Sequence, residues 1–284
     1  MKNKSIESFG ESVIISSNNQ KKILIEMLKY IDNLCRNNNI KYSLIGGSLI
    51  GAVRHKGFIP WDDDIDIILD RDNYFKLLDV LKNVKNSDYE IFTPEVKDKY
   101  PLQFSKLINK KTVLHENGLI DEIKNYGLFV DIFVYNYVPN NEKQRVRFFK
   151  YYKFLISSLV RVKINHRNPN FLHKVKRFIK NVYVSIFGYK FNLFLIDKLI
   201  KKYCSLESDY VIANNPVYGY EKELQKAENI KEYTDAEFEG LKVMIFKNYD
   251  EILRTTFGDY MQLPPEDKRV NHSLEVYWKD GYEK

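Results

Sequence analysis

Tyr42 to Leu69 reads YSLIGGSLIGAVRHKGFIPWDDDIDIIL, and the rest of the chain is best read outward from this stretch. Asp64-Ile65-Asp66-Ile67-Ile68-Leu69 alternates polar and apolar and then runs apolar, the pattern of a strand entering a core. Side chains on a strand repeat every two residues, so Asp64 and Asp66 are expected on one face and Ile65 and Ile67 on the other. Upstream, Ile40 to Ile45 suits a strand and Ser48 to Val53 the first turns of a helix, with Gly46-Gly47 at the junction. A glycine pair there lets backbone N–H groups approach an anion, and the helix N-terminus adds positive potential. Ser48 can cap that helix or donate to a phosphate. Two neighbouring carboxylates repel, and a hard divalent cation with a preference for oxygen ligands relieves the repulsion. The Asp62-Asp63-Asp64 run alone would fit a solvated turn after Pro60. Joined to the Gly46-Gly47-Ser48 turn, it reads as a site that grips a phosphate and sets a metal against it.

The block GGSLIGAVRHKGFIPWDDDIDI resembles the signature of the LicD phosphorylcholine-transferase family, a branch of the nucleotidyltransferase superfamily that includes fukutin-related proteins. Two later segments resemble the same family: Gly127-Leu128-Phe129-Val130-Asp131-Ile132-Phe133, and Leu263-Pro264-Pro265-Glu266-Asp267-Lys268-Arg269 with His272 behind it. Together these motifs span a small part of the chain, and residues 141–205 carry none. The resemblance implies that Gly46, Gly47 and Ser48 hold the donor phosphates. It also implies that Asp64, Asp66 and Asp131 are the catalytic carboxylates and ligate Mg²⁺ or Mn²⁺. Asp131 is notable without any resemblance, because an acid centred in the apolar run GLFVDIFV needs either a partner or an edge strand facing water. If its strand lies beside that of Asp64 and Asp66, the three carboxylates converge.

Arg54, His55 and Lys56 follow the short helix and are expected on the phosphate side, Arg54 as a bidentate clamp and Lys56 as a point charge. His55 suits a surface position as well as a catalytic one. Trp61 suits packing over the acidic loop, or stacking on a base or head group. Lys268, Arg269 and His272 follow a Pro-Pro break; the resemblance supports a site role for them, and plain exposure is the competing reading.

The chain has 284 residues and a formal net charge of +7. That charge is not spread evenly. Lys143 to Lys202 holds sixteen lysines and arginines against one acid, Asp197, so the remainder is acidic. In this segment Phe171, Val175, Phe178, Ile179, Val182 and Ile186 recur at helical spacing, with Lys174, Lys176, Arg177 and Lys180 largely off that stripe. Packing on the core and docking on an anionic membrane both suit such a basic amphipathic helix; nucleic-acid binding is disfavoured. Cys35 lies on the apolar stripe Ile23, Leu24, Met27, Ile31 and Leu34, a core position, and Cys35 with Cys204 forms no disulfide framework or metal spacing. MKNKSIESFG has no apolar core of signal-peptide length, and no run of 18 uncharged apolar residues exists. The expected location is the cytoplasm, associated with the inner face of the membrane.

Alternating helices and strands indicate an α/β (α+β) core: a mixed sheet flanked by helices, of nucleotidyltransferase type by the resemblance, plus a basic helical region. The expected division is a polar tail 1–19, a catalytic core 20–140, a basic helical insertion 141–205, and a C-terminal helical region 206–284 that completes the site. Asp72 is expected to cap a helix through Tyr74, Leu77, Leu78 and Leu81. Thr234-Asp235-Ala236-Glu237 reads as the capping-box start of a long helix ending near Gly258. The resemblance implies transfer of phosphocholine from CDP-choline to a glycan or lipid-linked glycan precursor of lipopolysaccharide, teichoic acid or capsule, releasing CMP. Other CDP-activated donors such as CDP-ethanolamine, nucleotidyl transfer from CTP or ATP, and a silent scaffold docking on membrane or RNA stay open as alternatives.

Overall fold

The computed structural model describes residues 14–84, 87–94, 100, 102–115, 126–159, 171–204, 208–269, 274–279 and 281–282. It begins with α1, Ser17–Asn37, whose apolar stripe buries Ile23, Leu24, Met27, Leu28, Ile31 and Cys35. Short β1, Ser43–Leu44, then leads into α2, Gly46–His55, and β2, Asp66–Leu69. The strand expected over residues 64–69 therefore starts at Asp66, with Asp64 just ahead of it. Helix α3, Arg71–Asn83, follows at once; its cap is Asp70 rather than the expected Asp72, and the Asp70 carboxylate accepts the Asn73 N–H at 2.8 Å. Such a cap is worth about 1 kcal/mol, and Asp72 instead occupies the first turn.

Strands β3 (Tyr89–Phe92), β4 (Ser105–Asn109), β5 (Thr112–His115) and β6 (Phe129–Val138) complete the N-terminal half. The main sheet runs β1-β2-β6-β4-β3. Only β2 and β6 pair in parallel; β1–β2, β4–β6 and β3–β4 are antiparallel. This mixed sheet, with α1 and α3 against its central strand β6, is the expected α/β architecture.

The basic segment forms α4, Glu142–Ser157, and α5, Phe171–Cys204, the latter broken at Gly188, whose φ is 70°. Beyond that break Ile196 and Ile200 are buried with Phe148, Tyr152 and Leu155 of α4. Ahead of it, Val175, Phe178, Ile179, Val182 and Ile186 stay exposed, Phe178 at 70%. So the two halves of α5 separate the two readings of the segment: the second packs on the core, and the stripe seen in the sequence faces outward.

The C-terminal part departs from the expected helical region. It holds β7 (Tyr210–Ala213), α6 (Tyr220–Glu223), β8 (Gln225–Lys226), β9 (Tyr233–Phe238), β10 (Leu241–Phe246), α7 (Tyr249–Phe257) and β11 (Glu275–Trp278). β7 extends the sheet along residues 135–138 of β6, and β11 pairs with β5. The helix expected from Thr234 is a hairpin, with only Tyr249–Phe257 helical before Gly258. Phe238 pairs with Leu241 across a two-residue turn, Glu239-Gly240, in which both φ angles are positive (49° and 76°). That is the turn which matches strand twist. The run Val243-Met244-Ile245-Phe246 then buries every side chain, and that burial outweighs a four-residue capping signal.

Candidate active site

The parallel pairing of β2 with β6 sets Asp66 directly beside Asp131. On the other side of β6, Lys106 of β4 is the register partner of Asp131. Paired residues share a sheet face, so Asp66, Asp131 and Lys106 form one row across three strands. The convergence expected of Asp131 with the acidic strand is thus present. Lys106 Nζ lies 2.5 Å from Asp131 Oδ1, with both side chains almost fully buried, and its ammonium sits over the Phe129 ring.

Burial pushes the Asp66 carboxyl well above the usual carboxylate range, and Asp64, Asp131 and Asp62 push it further, while Lys106 opposes them. Three further acids thus raise Asp66, and Lys106 opposes them. An all-oxygen donor set carrying surplus negative charge fits a hard divalent cation such as Mg²⁺ or Mn²⁺. Among the described residues no three His, Cys, Asp or Glu side chains form a ready-made metal shell. The chain offers a partial set instead, which agrees with the habit of Mg²⁺ to bind one or two carboxylates and fill its sphere with waters and substrate phosphates.

The start of α2 is the part of the site with the chemistry to take an anion. Ile45, the residue before the helix, offers no side-chain cap, and the first N–H groups of a helix have no intrahelical partner. Gly46 has φ +60°, and a Cβ there would stand 3.4 Å from Asp66 Oδ2. Glycine is what allows the chain to turn from β1 into α2 hard against the acidic strand. The Asp62 carboxylate lies over Gly47. Ser48 does not cap the helix; its buried Oγ accepts the Asp66 N–H at 2.9 Å and ties α2 to β2. Gly46, Gly47, Ser48, Asp64, Asp66 and Asp131 are therefore gathered at one place.

Arg54, His55 and Lys56 are not. They end α2, on the order of 12–15 Å along its axis from Gly46. Arg54 donates to the Tyr260 carbonyl at 2.5 Å and to His55 Nε2 at 2.9 Å. Burial lowers the pKa of both Arg54 and His55. Lys56 is a left-handed C-cap whose ammonium lies 3.7 Å from Glu237. Its carbonyl accepts the Glu239 N–H, so this end of α2 anchors the β9–β10 hairpin. The ten-residue helix thus sets Arg54 and Lys56 apart from the Gly46-Gly47 turn that precedes them closely in sequence.

Trp61 packs partly buried against the main core, and the Arg269 guanidinium lies over its ring, 5.0 Å from the centroid. Arg269 also donates to the Pro264 carbonyl at 2.9 Å. The C-terminal motif is thereby brought to the residue that opens the acidic run, while Lys268 points to solvent; His272 lies outside the described residues. Sequence reasoning missed Lys106. The signal was available: a lone lysine within Phe104-Ser105-Lys106-Leu107-Ile108 breaks an apolar run just as Asp131 does.

Residues 39–168 match the family described as LicD/FKTN/FKRP, nucleotidyltransferase domain. Over 268 residues the chain is 30% identical to the "Lipopolysaccharide cholinephosphotransferase LicD" of Haemophilus influenzae, covering 91% of this chain and 96% of that protein. The chain belongs to the LicD family. The matched stretch holds α2, all four acids and Lys106, and it runs through α4, so part of the basic segment lies within the LicD domain rather than outside it. Shorter likenesses centre on less of the chain: an uncharacterized Rickettsia typhi protein is 40% identical over 68 residues (24% of this chain, 22% of that one). The human "Ribitol 5-phosphate transferase FKRP" is 43% identical over 44 residues (16% of this chain, 9% of that protein). LicD membership bears out the resemblance read from the GGSLIGAVRHKGFIPWDDDIDI block.

Proposed function

We propose that the protein transfers phosphocholine from CDP-choline to a hydroxyl of a cell-surface glycan precursor, of the lipopolysaccharide, teichoic-acid or capsule type, and releases CMP. The observation that carries this reading is the Asp66–Asp131 register beside an uncapped helix N-terminus, in a chain aligned over 91% of its length with a lipopolysaccharide cholinephosphotransferase. Gly46, Gly47 and Ser48 present N–H groups to the diphosphate. The acceptor oxygen bonds to the phosphorus that carries choline, the bond from that phosphorus to the CMP oxygen breaks, and the hydroxyl proton passes to a base. Asp131, held by Lys106, would ligate the metal or take that proton. A Mg²⁺ or Mn²⁺ ion would be held by carboxylates among Asp64, Asp66 and Asp131, with water and substrate phosphates completing its sphere, and would supply charge neutralisation on the phosphates. The remaining work of the chain is to position the two reactants.

Incubating the protein with Mg²⁺, a cell-envelope extract, and CDP-choline, CDP-ethanolamine, CTP or ATP in turn separates the alternatives by their products. CMP from CDP-choline is expected. Pyrophosphate from a triphosphate would move the assignment to nucleotidyl transfer, CMP from CDP-ethanolamine alone would change the head group, and no product from any donor would favour a silent scaffold.

The acceptor is met at a membrane surface in this reading. Among the described residues no helix is long and apolar enough to cross a membrane. Yet Phe178, Ile179 and Ile186 expose 62–70% of their surface on α5, in a segment with sixteen basic residues and one acid. Exposed apolar side chains in so basic a segment suit a layer of anionic lipid head groups. Replacing Phe178, Ile179 and Ile186 together by serine is expected to reduce co-sedimentation with phosphatidylglycerol-containing vesicles by about tenfold or more. Turnover on a soluble acceptor should be unchanged. Undiminished sedimentation would show that this face does not dock.

A further inference from the structure

Next to the acids lies a cavity of about 390 Å³ including its open mouth, lined among others by Gly46, Tyr135, Tyr218, Glu223, Gln225 and Phe257. Gly46 belongs both to this cavity and to the phosphate-binding turn. Tyr135 lies four residues beyond Asp131 on β6 and so faces the same side of the sheet. The rings of Tyr218 and Phe257 meet at 74° with centroids 5.1 Å apart, forming a corner at the mouth. Gly46 lines the cavity and a Cβ on it would stand 3.4 Å from Asp66 Oδ2, so the cavity adjoins the acids.

Its polar lining includes one acid, Glu223, and the amide of Gln225. Glu223 is buried, its carboxylate accepting the Tyr218 N–H and bonding the backbone of Val217 and Gly219. Burial still holds its carboxyl up at about 7, against the backbone N–H groups and Lys153, which lower it; a cation beside it favours the charged form. Gln225 is 2% exposed; its amide group donates toward the Ile252 carbonyl and Thr256 Oγ1, and its Oε1 is buried without a hydrogen-bond partner. Aromatic faces, a carboxylate and an amide oxygen favour a cation. A primary ammonium needs about three acceptors for its N–H groups, and Glu223 is already engaged by backbone donors. A quaternary ammonium needs none, and its methyl surface suits apolar walls.

We propose that this cavity seats the quaternary ammonium head group of the donor, with Tyr218 and Phe257 as the aromatic corner, Tyr135 beside them and Glu223 as counter-charge. The assignment rests on the CDP-choline reading above. It places the head group one short tether from the phosphate at Gly46, and it makes these side chains the determinants of choline over other head groups.

The test compares CDP-choline, CDP-ethanolamine and CDP-3,3-dimethylbutanol, the neutral carbon isostere, by kcat/KM and by calorimetric binding to the full chain with Mg²⁺. Wild type is expected to prefer CDP-choline by about tenfold or more over both. Phe257→Leu and Glu223→Gln should each shrink that preference severalfold while the inhibition constant of CMP stays within about twofold. Two variants are used because loss of the Glu223 charge can loosen residues 217–219, whereas Phe257→Leu leaves that loop its anchor. A preference retained in both variants would overturn the proposal. So would CMP binding that falls in both, since the cavity would then hold the cytosine base. Preferential binding of CDP-choline without CMP release would leave the cavity assignment standing and overturn the transfer reading instead.

Discussion

Asp66→Asn is expected to lower phosphocholine transfer by at least about a thousandfold, measured as CMP released from CDP-choline, while the melting temperature stays equal or rises. The size follows from removing charge aimed at the transferring phosphate, where single preorganised groups are worth 10²–10³ and a lost metal ligand more. The stability claim follows from what surrounds the side chain. Asp66 is desolvated and repelled by Asp64, Asp131 and Asp62, so an isosteric amide relieves repulsion. The tie to Ser48 uses the Asp66 backbone N–H and survives. A site that costs stability and provides function is a familiar trade. Turnover within tenfold of wild type would remove Asp66 from the chemistry; a large fall in melting temperature would make it a structural residue.

Lys106→Met is expected to cost about 3–5 kcal/mol of stability, the usual penalty for breaking a buried ion pair. For a chain of this size that is a fall in melting temperature on the order of 10 °C. The lysine and Asp131 are 5% and 11% exposed at their side chains and 2.5 Å apart, so Asp131 would be left buried beside another acid. CMP release should fall with it, because Asp131 loses its fixed position. Adding Asp131→Asn to Lys106→Met should restore most of the stability and none of the activity. That non-additivity is what a coupled pair produces. A single mutant that melts like wild type would mean that the pair contributes nothing to the fold.

Much of this site could be read from residues 42–69 alone. The glycine turn, the following helix and the acid-bearing strand are local features, set by backbone freedom and by a two-residue period, and they are present with shifted ends. What local pattern cannot supply is strand order. Asp66 and Asp131 stand 65 positions apart in number, and only the β2–β6 pairing makes them neighbours; family resemblance, not spacing, brought Asp131 into the site. Lys106 escaped because buried lysines are rare enough that each is first assumed to face water. Arg54 and Lys56 are close to the glycine turn along the chain, but α2 carries them away from it in space. Thr234-Asp235-Ala236-Glu237 carries a capping signal, but the Glu239-Gly240 turn and the apolar run that follows it decide a hairpin. The exposed stripe of α5 was visible as a pattern, whereas which of its halves met the core depended on the break at Gly188.

The proposed role of the row Asp66–Asp131–Lys106 and the start of α2 is to move phosphocholine together. The most direct test follows radiolabel from CDP-[methyl-¹⁴C]choline into a cell-envelope glycan fraction, with wild type, with wild type plus EDTA, and with Asp66→Asn. Label in the glycan matched by released CMP, in the wild-type Mg²⁺ reaction alone, is the predicted result. Label transferred equally by Asp66→Asn, or in EDTA, would contradict it.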